Sequence, residues 1–105
     1  MIADTPRKMT VGLMFRPKMK ENECMFFVFP EMGAHPIWAH NMKFVIDVVW
    51  CDEKGKVVDF FESMKPAKWY EFNSHYSKAP AKYVIEFNSG FVRKNRIKVG
   101  QKIEF

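Results

Sequence analysis

Phe44-Val45-Ile46-Asp47-Val48-Val49-Trp50-Cys51, then Asp52-Glu53-Lys54-Gly55, then Lys56-Val57-Val58-Asp59-Phe60-Phe61 is the stretch that decides the fold class. The first run is apolar and of strand length. Asp52 to Gly55 is a hairpin signal, with Gly55 available for a positive φ, and the second run returns antiparallel. Side chains alternate along a strand, so Asp47 shares a face with Val45, Val49 and Cys51, while Phe44, Ile46, Val48 and Trp50 point the other way. Both faces read as buried, which makes Asp47 the anomaly of the run. A carboxylate taken out of water without partners shifts its pKa or destabilises the fold by roughly several kcal/mol, so a polar neighbour, a ligand or solvent is expected beside it.

Working outward, Cys24-Met25-Phe26-Phe27-Val28-Phe29 is apolar on both alternating faces, and Pro30 is expected to stop it; it predicts a central strand covered on both sides. Ile37-Trp38-Ala39 predicts a short strand. Lys82-Tyr83-Val84-Ile85-Glu86-Phe87 alternates, with Tyr83, Ile85 and Phe87 on one face. Asn88 or Ser89 is placed to cap a helical stretch through Phe91 and Lys94, and Asn95 to end it in the left-handed conformation. Ile97 to Phe105 predicts a final turn and strand. Thr5-Pro6 predicts the start of a short helix that Pro17 ends. The stretch from Ser63 to Ala81 reads as long and irregular, carrying Trp69, Tyr70, Phe72 and Tyr76. Together these elements predict a mainly β domain bordering on α+β: a small, barrel-like antiparallel sheet with one or two short helices.

Composition narrows the class further. A chain of 105 residues, 48% hydrophobic and 28% charged, predicts one domain spanning 1–105, too apolar for disorder and too interrupted by charge for a membrane span. No basic segment followed by an apolar one opens the chain, so a cytoplasmic location is expected. The net charge of +5 gathers near both ends, at Arg7 to Lys20 and at Arg93 to Lys102. Such a face attracts phosphates or other anions if the termini lie together, and is otherwise a solvated lysine-rich surface. Cys24 and Cys51 form no Cys-x-x-Cys and lie in apolar runs, so they read as buried thiols, with a disulfide the minority reading.

Three carboxylates in apolar strands, Asp47, Asp59 and Glu86, are compatible with an acid/base pair or a metal site, or more simply with hydrogen bonds to nearby loops. Trp38, His40 and Asn41 place an aromatic platform, an imidazole and an amide just upstream of Asp47, a mix suited to a polar ligand stacked on a ring. His35, His40 and His75 lack paired metal-ligand spacing, and no dinucleotide, P-loop, nucleophile-elbow or zinc-protease motif occurs, so neither a metal nor a cofactor is expected. Lys65 to Tyr83 interleaves basic and aromatic residues in the manner of single-strand binders.

Several blocks together resemble the uncharacterised DUF 192 family, also catalogued as UPF 0127. Ala3-Asp4-Thr5-Pro6 leads to Gly12-Leu13-Met14-Phe15-Arg16, then to Glu21-Asn22-Glu23 and Met25-Phe26-Phe27-Val28-Phe29. Trp38 and Asn41, Asp47, Tyr76, Pro80-Ala81, Tyr83-Val84, Glu86, Gly90 and Ile97-Lys98-Val99-Gly100 follow in the family's order. Cys24, Ala39, Asn95 and Gln101 depart from it, at positions usually Gly, Met, Gly and Asp. Relatives usually carry a preceding strand, expected here to be missing or reduced, and many have an export signal. The resemblance implies a compact, mainly β domain, brings no established activity or catalytic residues, and gives weight to Arg16, Trp38, Asn41 and Asp47.

The expectation drawn from all this is a non-enzymatic module that binds a small polar ligand or a protein segment at Arg16, Trp38, His40, Asn41 and Asp47. One alternative is a hydrolase with Asp47 as general base and Arg16 or His40 stabilising negative charge, which requires Asp47 to face an open pocket. Another is single-stranded nucleic-acid binding through the basic and aromatic surface.

Overall fold

The computed structural model describes residues 2–3, 20, 23–38, 43–66 and 74–103, with the backbone alone at 3, 38, 74 and 75. Among the described residues, seven strands and one helix follow in chain order: β1 Ile2–Ala3, β2 Cys24–Gly33, β3 Ile37–Trp38, β4 Ile46–Cys51, β5 Val57–Met64, β6 Ser74–His75, β7 Ala81–Asn88 and α1 Phe91–Lys94. The helix expected from Thr5 and most of the aromatic stretch at 67–73 lie outside the described residues.

The main sheet runs β1-β2-β7-β4-β5, antiparallel throughout except where β1 lies parallel to β2. The mainly β antiparallel sheet with a short helix is as expected, and among the described residues it is open and not closed into a barrel. Among the described residues β1 and β5 are its two edges and do not pair, because closure depends on strand tilt and stagger rather than on alternation. The hairpin stands as expected: Asp52 N–H donates to Lys56 O, Gly55 takes φ 82°, and the Asp52 carboxylate accepts from the N–H groups of Lys54 and Lys56. Pro30 does not end β2. It falls where the β2–β7 register shifts, between Val28 and Gly33, a place where a residue without N–H costs the ladder nothing.

Two further expectations change. The irregular stretch from Ser63 holds a short ladder, in which β6 pairs with β3 through Ile37 and His75 and through Trp38 and Ser74. In the described part of the C-terminal segment, up to residue 103, a turn and an isolated bridge, Lys56 with Lys102, stand in place of a strand. Val57 N–H donates to Gln101 O, Gly100 N–H to Val57 O, and Ile103 N–H to Gly55 O, which covers the start of the edge strand β5.

The sheet is buried on both sides, as the runs in β2, β4 and β7 predict. One face carries Met25, Phe27, Ile46, Val48, Trp50 and Val84, with Ile37 and Met64 packed on it; the other carries Val49, Cys51, Ile85 and Phe87, covered by Val92 of α1 and by Ile97. Each of these side chains contributes about 1.5–3 kcal/mol by burial. Trp50 buries its indole while donating its ring N–H to His35 O at 2.9 Å. Cys24 and Cys51 are thiols and do not bridge; burial pushes Cys51 up to about 12, with Asp52 adding to the rise, so it is unreactive.

Candidate functional site

Asp47 is completely buried, on the face that α1 covers. Its place is prepared by a bulge: Ile46 pairs with Met64 and Val48 with Phe61, so Glu62 and Ser63 together oppose Asp47. The bulge puts Ser63 at φ 55° and turns its N–H onto Asp47 Oδ1 at 2.9 Å. Oδ2 accepts from Gly90 N–H at 3.1 Å and Val92 N–H at 2.9 Å. These are the orphan donors of the first turn of α1, and the Gly90 cap position offers no side-chain hydrogen bond of its own. The expected caps, Asn88 and Ser89, are replaced by a side chain more than forty residues earlier in the chain. Asn88 donates instead to Lys20 O, and Ser89 Oγ meets Ser63 Oγ at 3.1 Å.

This geometry gives Asp47 a definite task. Both oxygens are committed to backbone N–H groups and the side chain is fully buried, so the general-base reading loses the solvent access it requires. Of its expected companions, Arg16, His40 and Asn41 lie outside the described residues. The backbone of Trp38 belongs to the β3–β6 ladder, whose Ile37 packs on the opposite face of the sheet from the Asp47 carboxylate. The other two strand carboxylates do not join Asp47. Asp59 accepts from Phe60 N–H and Lys78 N–H, holding the 77–79 turn. Glu86 points to the Ile37 side, and burial raises it from 4.5 to about 8. No group of three or more metal-ligating side chains occurs among the described residues.

The end of α1 also departs from expectation. Asn95 has φ −98°, and Arg96 takes the left-handed conformation at φ 51°. Ile97 N–H donates to Val92 O and Arg96 N–H to Arg93 O, a Schellman arrangement sealed by the apolar pair Val92 and Ile97. The helix is thus fixed at both ends, and it carries Phe91 over Phe87, ring centroids 3.8 Å apart and nearly parallel.

That stacked pair lines the feature that sequence reasoning missed, an open cavity of about 690 Å³ between the sheet, α1 and the C-terminal segment. Ile2, Phe26, Ile85 and Ile103 supply further apolar wall, and exposed Asn95, Gln101 and Lys102 supply its polar part. Its only available signal was the face shared by Ile85 and Phe87, continued four residues later by Phe91. Nothing local told that Ile2 and Ile103 would meet them.

The family model for DUF 192, described as uncharacterized, matches residues 1–105. A UPF0127 protein of Pyrococcus furiosus is 31% identical over 105 residues, covering 98% of this chain and 83% of its own. A crystal structure of a protein of unknown function from Novosphingobium aromaticivorans superposes with a TM-score of 0.89 at 25% identity, over 99% of this chain and 72% of that one. A protein from Sinorhizobium meliloti put forward as a transcription regulator gives 0.89 at 26% identity, over 98% and 78%. No described helix is long and apolar enough to cross a membrane. By the whole-length family match and the identity to its Pyrococcus relative, the chain belongs to the DUF 192 family.

Proposed function

We propose that this chain is a non-enzymatic binding module, and that its ligand enters the cavity beside α1 while Asp47 holds that wall in place. The observation that carries the reading is the cavity itself, a concave, mostly apolar space with a few polar groups, within the size range of small-molecule sites. Asp47 supports it indirectly. By fixing Gly90 and Val92 it sets the position of Phe91 against Phe87, so the buried carboxylate builds the pocket without touching what fills it. The neutral apolar fluorophore N-phenyl-1-naphthylamine tests this directly. Saturable one-to-one binding is expected, weakened at least tenfold by Asn95→Trp or Ile103→Trp with unchanged thermal unfolding. A folded protein that takes up no probe, or whose binding ignores both substitutions, contradicts the reading.

A second reading is nucleic-acid binding, favoured by the basic stretch from Arg93 to Lys102 and by the description of the Sinorhizobium structure. It predicts affinity for single strands at low salt that collapses as salt is added. Absence of such affinity dismisses it.

A further inference from the structure

We infer that the cavity takes the hydrocarbon chain of a single-chain anionic amphiphile, with its carboxylate or phosphate head group at Lys102. This rests on the cavity reading above and adds a ligand class to it. Among the described residues that line the space, Lys102 is the one charged group, and it stands exposed at the rim with no ion pair to a described residue. The sequence 91–105 that runs along this side holds five cations, Arg93, Lys94, Arg96, Lys98 and Lys102, against one carboxylate, Glu104. The hairpin turn beside Lys56, the bridge partner of Lys102, also carries acid, of which the Asp52 carboxylate is engaged by two backbone N–H groups.

The two kinds of lining group therefore ask for opposite chemistry. Stacked Phe87 and Phe91, with Phe26 and Ile85, offer no hydrogen-bond partner to a polar chain and suit methylenes. Exposed Lys102, in a predominantly basic stretch, attracts an anionic head, and the side-chain amides of Asn95 and Gln101 line the same space. A neutral apolar ligand would use the walls but gain nothing from the rim. A small free anion would do the reverse.

The experiment compares decanoate, decyl phosphate and 1-decanol by displacement of N-phenyl-1-naphthylamine from the full chain at low and at high salt. The expected result is that at least one of the two anions binds ten or more times more tightly than the alcohol, with the gap narrowing as salt rises. Which anion wins separates a fatty-acid-type head from a phosphate. Lys102→Glu should weaken the anions at least tenfold and leave the alcohol within twofold, while Lys102→Met, which keeps the stem, should bring anion and alcohol together. If all three bind equally, the head-group inference fails and the cavity reading stands. If none binds, both fail. Binding confined to phosphatidylglycerol vesicles or to single-stranded oligonucleotides, with no uptake of monomers, also overturns the inference, because the cations then serve a surface and not the cavity.

Discussion

Asp47 and Glu86 stand on adjacent rungs of the β4–β7 ladder, Asp47 beside Phe87 and Glu86 beside Val48, with their side chains on opposite faces. Both are sealed from solvent, at 0% and 3% exposure. Asp47 meets three backbone N–H groups, whereas Glu86 has Met25 and Val48 as its ladder neighbours and no hydrogen bond to a described residue. Burial is common to the two, and what differs is the supply of donors. On one side a carboxylate organises a bulge and a helix start that would otherwise be left with orphan N–H groups. On the other, burial without such donors favours the neutral form and raises the carboxyl to about 8.

The largest effect should come from breaking the satisfied member. Asp47→Ala leaves three buried or half-buried N–H groups unpaired and should lower the free energy of unfolding by about 3–5 kcal/mol, read from the urea midpoint. A loss below about 1 kcal/mol would mean that water or another group replaces the carboxylate, and the contrast with Glu86 would lapse.

Glu86, without a hydrogen bond to a described residue, should answer to pH. Glu86 moves from 4.5 to about 8 on folding, so the folded state holds its proton more tightly than the unfolded chain does. Its contribution to stability is therefore complete below about 4.5 and is lost as pH rises through about 8. Glu86→Gln keeps the shape and removes the proton. The variant should lack that decline and at pH 9 should be more stable than the parent by on the order of 1–3 kcal/mol. A parent stability that is flat between pH 5 and 9 would refute the assignment.

The smallest change sharpens the geometry on the Asp47 side. Gly90 has φ 95° and no atom within 4 Å of where a Cβ would stand, so Gly90→Ala meets only the backbone cost of that conformation, about 1–2 kcal/mol. A markedly larger loss would show that the N–H to Asp47 depends on glycine for more than its φ.

The sequence made the sheet legible wherever the signal was local. The Asp52 to Gly55 turn, the alternation in Lys82 to Phe87 and the two-faced run at Cys24 each carry their own instruction, and the strands follow. Asp47 was recognisable as needing partners. Their identity was not, because Ser63, Gly90 and Val92 reach it through a bulge and a remote helix, and no local pattern specifies either. The same limit explains Asn95: the Schellman bonds place the left-handed residue one position later, at Arg96, where Ile97 can pack on Val92. It also explains the cavity, whose walls come from both ends of the chain. Barrel closure was not legible, because alternation reports which faces are buried and says nothing of whether the edges meet.

Native-state hydrogen exchange tests the central claim, that Asp47 pins the bulge and the start of α1, at the three donors themselves. The amides of Ser63, Gly90 and Val92 should exchange as slowly as the central ladder amide of Val49, opening only with the sheet, and should become fast in an Asp47→Ala protein under conditions where it is folded. If all three already exchange in the parent as fast as the exposed Arg93 to Arg96 stretch, Asp47 does not hold them and the account is wrong.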